Sequence, residues 1–196
     1  MDLTVTDLGF NSLLNAFWKL DLIIYHWIPT IQTPLITSIM MIITYAGFLL
    51  TFLSLSPLIS FYLFNRQKIL QAVFLNISLF SAWAASDLLK LWFERSRPIG
   101  EALTAAAGYS FPSGHAMVST AFYGFMAFLL LNHNQNRWTG WAAVGLCMLI
   151  FLIGFSRIYL NVHYTSDVLA GFLFGFICLI SSIEGFQFIK RRYGVK

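Results

Sequence analysis

Charge is what this sequence has least of: Asp, Glu, Lys and Arg make up 10% of its 196 residues, against 58% hydrophobic ones. A soluble domain carries about a quarter charged residues to build its polar shell. Here the runs 35–64 and 139–155 contain none at all, so the expected solvent is a bilayer and the expected fold is all-α, a polytopic membrane helix bundle. Cysteine is scarce as well. Cys147 and Cys178 both stand inside apolar runs, which argues against a disulfide framework or a cysteine metal site and makes them small core residues. No basic segment or small-residue cleavage site follows Met1-Asp2-Leu3, so no cleaved leader is expected and the first span serves as the insertion signal. No repeat or low-complexity tract is present.

The net charge of +4 is unevenly placed, with Arg66 and Lys68 in one short turn, Arg137 in another, and Lys190, Arg191, Arg192 and Lys196 at the end. Membrane spans separate these bases, which excludes one continuous face for nucleic acid, and such clusters mark cytoplasmic turns. The run 35–64 is longer than the roughly 20 residues a span needs, so it must tilt, overrun the headgroups or bend near Pro57. Further spans are expected over 69–90, 113–131, 138–155 and 165–188. This arrangement puts every basic turn on one side and Lys90, Arg97, His115, Arg157, His163 and Asp167 on the other. Residues 1–33 mix Leu13, Leu14, Phe17, Leu20, Ile24, Trp27 and Ile28 with Lys19, Asp21 and His26. They read as an interfacial amphipathic helix, with an imperfect sixth span as the alternative. Residues 34–190 are then the membrane domain and 191–196 a basic cytoplasmic tail.

Three clusters on the less basic side carry chemistry. Lys90-x6-Arg97-Pro98 fixes two cations near a membrane boundary, the guanidinium able to fork two phosphate oxygens and the ammonium acting as a point charge. Taken alone, these residues could equally snorkel to headgroups. Phe111-Pro112-Ser113-Gly114-His115 precedes an apolar helix, so free backbone N–H groups and the positive helix end meet at a residue without a side chain. Ser156-Arg157-x5-His163-x3-Asp167 places imidazole and carboxylate at i and i+4. There the carboxylate is expected to accept the Nδ1–H and leave Nε2 unprotonated, as a nucleophilic histidine requires. The same spacing suits metal ligands, but Lys90, Arg97 and Arg157 would repel a divalent ion and attract a phosphate. Arg95 and Glu94 stand beside the first cluster, either to contact a second phosphate or to pair with each other.

Together these clusters resemble the complete three-part signature of the type 2 phosphatidic acid phosphatase superfamily, in order and at every specified position, over about residues 35–188. The resemblance implies a membrane lipid phosphatase that works without a metal or other cofactor and needs no obligate protein partner. In that pattern His163 is the nucleophile, Asp167 orients it, and His115 is the general acid and base. Lys90, Arg97, Ser113, Gly114 and Arg157 bind the phosphate. A bacterial cytoplasmic membrane with the site at its outer boundary and a cytoplasmic C-terminus is implied. Undecaprenyl pyrophosphate is the first substrate expected, with phosphatidylglycerol phosphate, lipid A phosphate or a lipid-to-lipid phosphotransfer as alternatives. A transporter would explain the hydropathy but not the phosphate groups, and the related vanadium haloperoxidases are soluble.

Overall fold

The computed structural model of the chain describes residues 5–133 and 136–194, with side chains from residue 15 onward except that of His133. The side chains of Leu13 and Leu14, the turn residues Asn134 and Gln135, and Lys196 lie outside the described residues. Among those residues the order is α1 (Val5–Ile31), α2 (Pro34–Tyr45), α3 (Leu49–Asn65), α4 (Ile69–Phe93), α5 (Gly114–His133), α6 (Arg137–Tyr159) and α7 (Thr165–Tyr193). Helices α4 to α7 match the expected spans with slightly longer ends, and Lys190, Arg191 and Arg192 still belong to α7.

Local chemistry sets the boundaries. Pro34 opens α2 behind Thr33, whose hydroxyl accepts from the Ile36 N–H at 3.3 Å. The Asn136 side chain caps α6 by accepting from Thr139 N at 2.9 Å. Helix α4 stops where Glu94 turns left-handed (φ 45°) and donates its N–H to Lys90 O. The stop sends the following residues, Arg95 and Arg97 among them, back across the ends of the other helices.

Helices α4, α6 and α7, together with α5 up to Asn132, are each long and apolar enough to cross a membrane, and α2 with α3, bent by 47°, qualify jointly as a fifth span. Helix α1, which contains Lys19 and Asp21, is not among them. The protein is a multi-span membrane protein. Of the three alternatives for the long run, a bend near Pro57 is not where it breaks: Pro57 lies inside α3, and the break falls at 46–48. Tertiary contact is the reason. A Cβ on Gly47 would stand 2.6 Å from Ile153 Cγ2 and 3.0 Å from His115 Cδ2, so the backbone of the break packs directly onto α6 and α5. The carbonyls near it are satisfied locally. Thr51 Oγ1 donates to Tyr45 O at 2.6 Å, and the Tyr123 hydroxyl donates to Ala46 O at 2.7 Å, as irregular backbone in a membrane protein requires.

Helix α5 is the hub, with Ala116, Met117, Ala121, Phe122 and Phe125 buried against α4, α6 and α7. Helix α7 comes especially close, because a Cβ at Gly171 would meet Ser113 O at 2.7 Å and one at Gly175 would meet Met117 O at 2.4 Å. That contact fixes the start of α7 against the start of α5. Between α3 and α4, Asn76 accepts from Ser56 Oγ (2.6 Å) and donates to Ser60 Oγ (2.8 Å), the kind of polar link that joins helices in lipid. The outer faces carry Leu50, Phe61, Leu88, Phe151 and Leu173, all exposed; hydrocarbon chains are the solvent such faces suit. Arg66, Lys68, Arg137 and Lys190 to Arg192 gather at one end of the bundle. The helix ends bearing Lys90, Gly114, Arg157 and Thr165 gather at the other.

Candidate active site

At that second end the chain between α6 and α7 holds His163, which is 4% exposed, and the first turn of α7 holds Asp167, which is fully buried. A capping box makes this turn: Asp167 Oδ2 accepts from the Tyr164 N–H at 2.9 Å, so the carboxylate faces back toward the loop. The imidazole–carboxylate pairing expected from the i, i+4 spacing is present as a close contact just longer than a hydrogen bond, with Nδ1 and Oδ2 3.6 Å apart. Ser110 bridges the two from the side. Its hydroxyl donates to Asp167 Oδ2 at 2.5 Å and lies 3.3 Å from His163 Nδ1. Having given its only proton to the carboxylate, the serine must accept from Nδ1–H, and the lone pair is therefore on Nε2. The other side of the ring agrees, because Arg97 Nη1, a donor only, is 3.4 Å from Nε2. Burial above all, with the charges of Arg157 and Arg97, pushes the pKa of His163 from 6.5 down to about 4, while Asp167 acts to raise it. The ring is thus neutral at physiological pH.

Arg97 is held by the loop that follows it. Nε donates to Gly108 O (3.0 Å), Nη2 to Ala107 O (2.7 Å) and Tyr109 O (3.3 Å), and Nη1 to Val162 O (2.7 Å). With four of its five donors on carbonyls, the side chain presents the Nη1 edge toward His163, not the two-toothed fork expected from sequence. Arg157 is 2% exposed and anchored to the broken span by Nη1 donating to Thr44 Oγ1 at 2.8 Å. Lys90 pairs weakly with Asp87 at 3.7 Å. Both Ser86 Oγ and Lys90 Nζ lie close beside Gly114, 3.0 and 3.2 Å from where a Cβ would stand. His115 packs edge-on to Phe48 and is within electrostatic reach of Arg157, His163, Lys90 and Arg97. Every residue selected from the three motifs therefore meets at one end of the bundle.

A second observation marks the place as a site. Buried polar atoms are normally paired, yet Ser86 Oγ, Ser113 Oγ, His115 Nε2, Ser119 Oγ, Arg157 Nε and Thr165 Oγ1 are buried without a partner among the described residues. The first five belong to the ends of α4, α5 and α6 around the motif residues, where an anion would accept from them. A cavity of about 160 Å³ reaches this cluster, polar at one end (Ser86, Lys90, His115) and apolar at the other (Leu53, Phe80, Trp83). Among the described residues no three His, Cys, Asp or Glu side chains are grouped to hold a metal ion.

Two participants escaped sequence reasoning. Ser110 carries no periodic signal, and only its place three residues before Ser113 would have drawn notice. Arg95, offered as a second phosphate contact or a partner of Glu94, is neither: Nη1 donates to Asp167 Oδ1 and Ser166 Oγ, and Nη2 to Asp21 Oδ2. Both of its Nη atoms are engaged with these groups, and Arg95 does not line the cavity.

Comparison with known proteins is consistent with this geometry. The sequence model described as the PAP2 superfamily matches residues 71–191, more than half of the chain. Phosphatidylglycerophosphatase B of Bacillus subtilis is 29% identical over 186 residues, covering 93% of this chain and 90% of that protein. The putative undecaprenyl-diphosphatase YbjG of Escherichia coli is 35% identical over 126 residues, 61% of this chain and 58% of that protein. Among solved structures, the transmembrane PAP2-type phosphatidylglycerolphosphate phosphatase from Bacillus subtilis superposes with a TM-score of 0.84 at 28% identity, covering 90% of this chain and 89% of that one. LpxE of Aquifex aeolicus gives 0.66 at 26% identity, over 83% of this chain and 94% of that one.

Proposed function

Because the chain belongs to the PAP2 superfamily of membrane lipid phosphatases, we propose that it removes the terminal phosphate from a membrane lipid through a phosphohistidine on His163. One observation supports this most: a neutral histidine, its Nε2 unprotonated and facing a pinned guanidinium, stands beside a group of buried polar atoms left unpaired among the described residues. In the first step Nε2 attacks phosphorus and the bond to the lipid oxygen breaks, His115 giving that oxygen its proton. In the second, water attacks the phosphohistidine, with His115 taking the water's proton and inorganic phosphate leaving. Lys90, Arg97, Arg157, Ser113 and the Gly114 N–H stabilise charge on the phosphoryl oxygens. Asp167 acts through Ser110 to hold the ring tautomer. No step uses a metal.

The apolar part of the cavity suits a substrate whose tail remains in the bilayer. Phosphatidylglycerol phosphate is the first substrate of this reading, supported by near-complete alignment with a phosphatidylglycerophosphatase. Undecaprenyl pyrophosphate is the second reading, favoured by the higher identity to YbjG. In this reading the site faces the outer side of a bacterial cytoplasmic membrane and the C-terminus lies inside; the collection of basic residues at the opposite end supports it. Helix α1 lies along the surface as an interfacial segment preceding a phosphatase domain that starts at 34. The contacts of Trp18, Asp21 and Tyr25 in this helix, and of Gln32 just past its end, go to Tyr164, Ser166, Ile99 and Tyr159, all near the site end.

Rapid-quench labelling with ³²P-labelled substrate tests the mechanism. Wild type gives an acid-labile, base-stable adduct and releases phosphate undiminished in excess EDTA, whereas His163→Ala gives neither adduct nor turnover. An adduct that survives in His163→Ala would remove His163 as nucleophile. Parallel assays on the two lipids rank them.

A further inference from the structure

The carboxylate behind His163 is itself held from outside the motif-bearing helices. Asp167 Oδ2 serves Ser110 and the Tyr164 N–H, while Oδ1 is bound by Arg95. Arg95 in turn reaches Asp21 of α1, whose side chain is 1% exposed. Asp21 also accepts at α7, with Oδ1 taking the Ser166 N–H at 2.8 Å and Oδ2 the Ser166 hydroxyl at 2.5 Å. The Arg95 guanidinium also lies against two aromatic rings, 4.5 Å from the Tyr164 ring centre and 5.4 Å from that of Trp18.

The order of charges matters more than the number of contacts. Asp21, Arg95 and Asp167 form an alternating chain, minus, plus, minus, that ends at the serine relay to Nδ1. A buried arginine bound to Asp167 alone would neutralise the carboxylate and deprive the imidazole of the charge that must stabilise it when phosphorylation makes it cationic. A second carboxylate on the far side of the guanidinium shares its charge and leaves the triad with a net negative one beside the ring. Asp21 lies 146 residues from Asp167 and outside every signature motif.

We propose that Asp21 and Arg95 are positioning residues for the phosphohistidine step, through which α1 sets the strength of the His163–Ser110–Asp167 relay. The proposal rests on His163 being the nucleophile. Asp21→Asn keeps the shape and removes the charge. It is expected to lower kcat about 10-fold with KM within about twofold, and to slow formation of the ³²P adduct by the same factor. Because Asp21 acts through Arg95, the double variant Asp21→Asn/Arg95→Met should lose no more than Arg95→Met alone. A merely structural tie of α1 to Ser166 would instead give additive losses. Lys19→Ala, on the exposed side of the same helix, should match wild type.

If Asp21→Asn cannot be recovered as monodisperse protein in detergent, Arg95→Lys carries the test. It keeps one charge but cannot bridge two carboxylates, and the same kcat loss at constant KM is expected. Wild-type adduct formation in Asp21→Asn, or in Arg95→Lys where that is the variant used, overturns the proposal; so do additive losses. If His163→Ala still forms the adduct, the nucleophile assignment fails instead, which separates the two failures.

Discussion

The two ends of the bundle are built from the same helices and obey opposite rules. At the basic end Phe74, Phe125, Phe128 and Phe186 interlock edge to face, and the charges of Arg66, Arg191 and Arg192 are exposed. At the site end Arg157, His163 and Asp167 are buried, and unpaired hydroxyls are tolerated around them. Burying a charge costs several kcal/mol unless it is compensated, so the site end depends on its polar partners where the basic end depends on packed rings. The lesson is that packing at the basic end holds the helices in place, while the site end carries buried polar groups, several of them unpaired among the described residues. Close contact between α5 and α7 at Gly171 and Gly175 links the two.

That contrast can be broken in a definite order. Arg157→Met, which deletes a buried guanidinium at the site end, should reduce kcat by about 10²- to 10³-fold in a phosphate-release assay. A loss below tenfold would mean that the unpaired Nε does not serve the transition state. Ser110→Ala removes the relay but neither partner, and about a tenfold fall in kcat at nearly constant KM is expected, the value of one hydrogen bond to a charged group. A titration of ¹³C-histidine-labelled protein sharpens the electrostatic side. The resonance lost in His163→Gln should protonate near pH 4, so the nucleophile stays neutral from pH 8 down to 5 and is lost only as pH falls through about 4. A midpoint near 6.5 would show that the ring is not desolvated. Least of all should activity respond to Phe186→Ala. Lipid replaces much of the transfer term and leaves mainly the cavity, so stability drops by about 1–2 kcal/mol while kcat stays within twofold, as thermal melting and turnover measured side by side would show.

Much of this was legible from residue order, because its physics is local or periodic. A charge-free run reports a span regardless of its neighbours, and motif residues at helix ends report where an anion can sit. What depended on distant partners was hidden. The break at 46–48 is set by Ile153 and His115 pressing on Gly47, while Pro57, the residue that looks like a hinge, is accommodated inside α3. Likewise the i, i+4 rule put Asp167 beside His163 but could not see that Ser110, 53 positions from the histidine, would bridge the two from the side. Arg95 had Glu94 as its neighbour in sequence, and its true partner Asp21 lies 74 positions away.

The kink between α2 and α3 also has a consequence for how the protein is made. A ribosome releases residues 34–65 well before it has translated Tyr123, whose hydroxyl occupies the Ala46 carbonyl in the finished molecule. Until α5 arrives, that carbonyl lacks its hydroxyl partner. The wall that Gly47 gives to His115 likewise comes into being only when the helix bearing that histidine packs beside it.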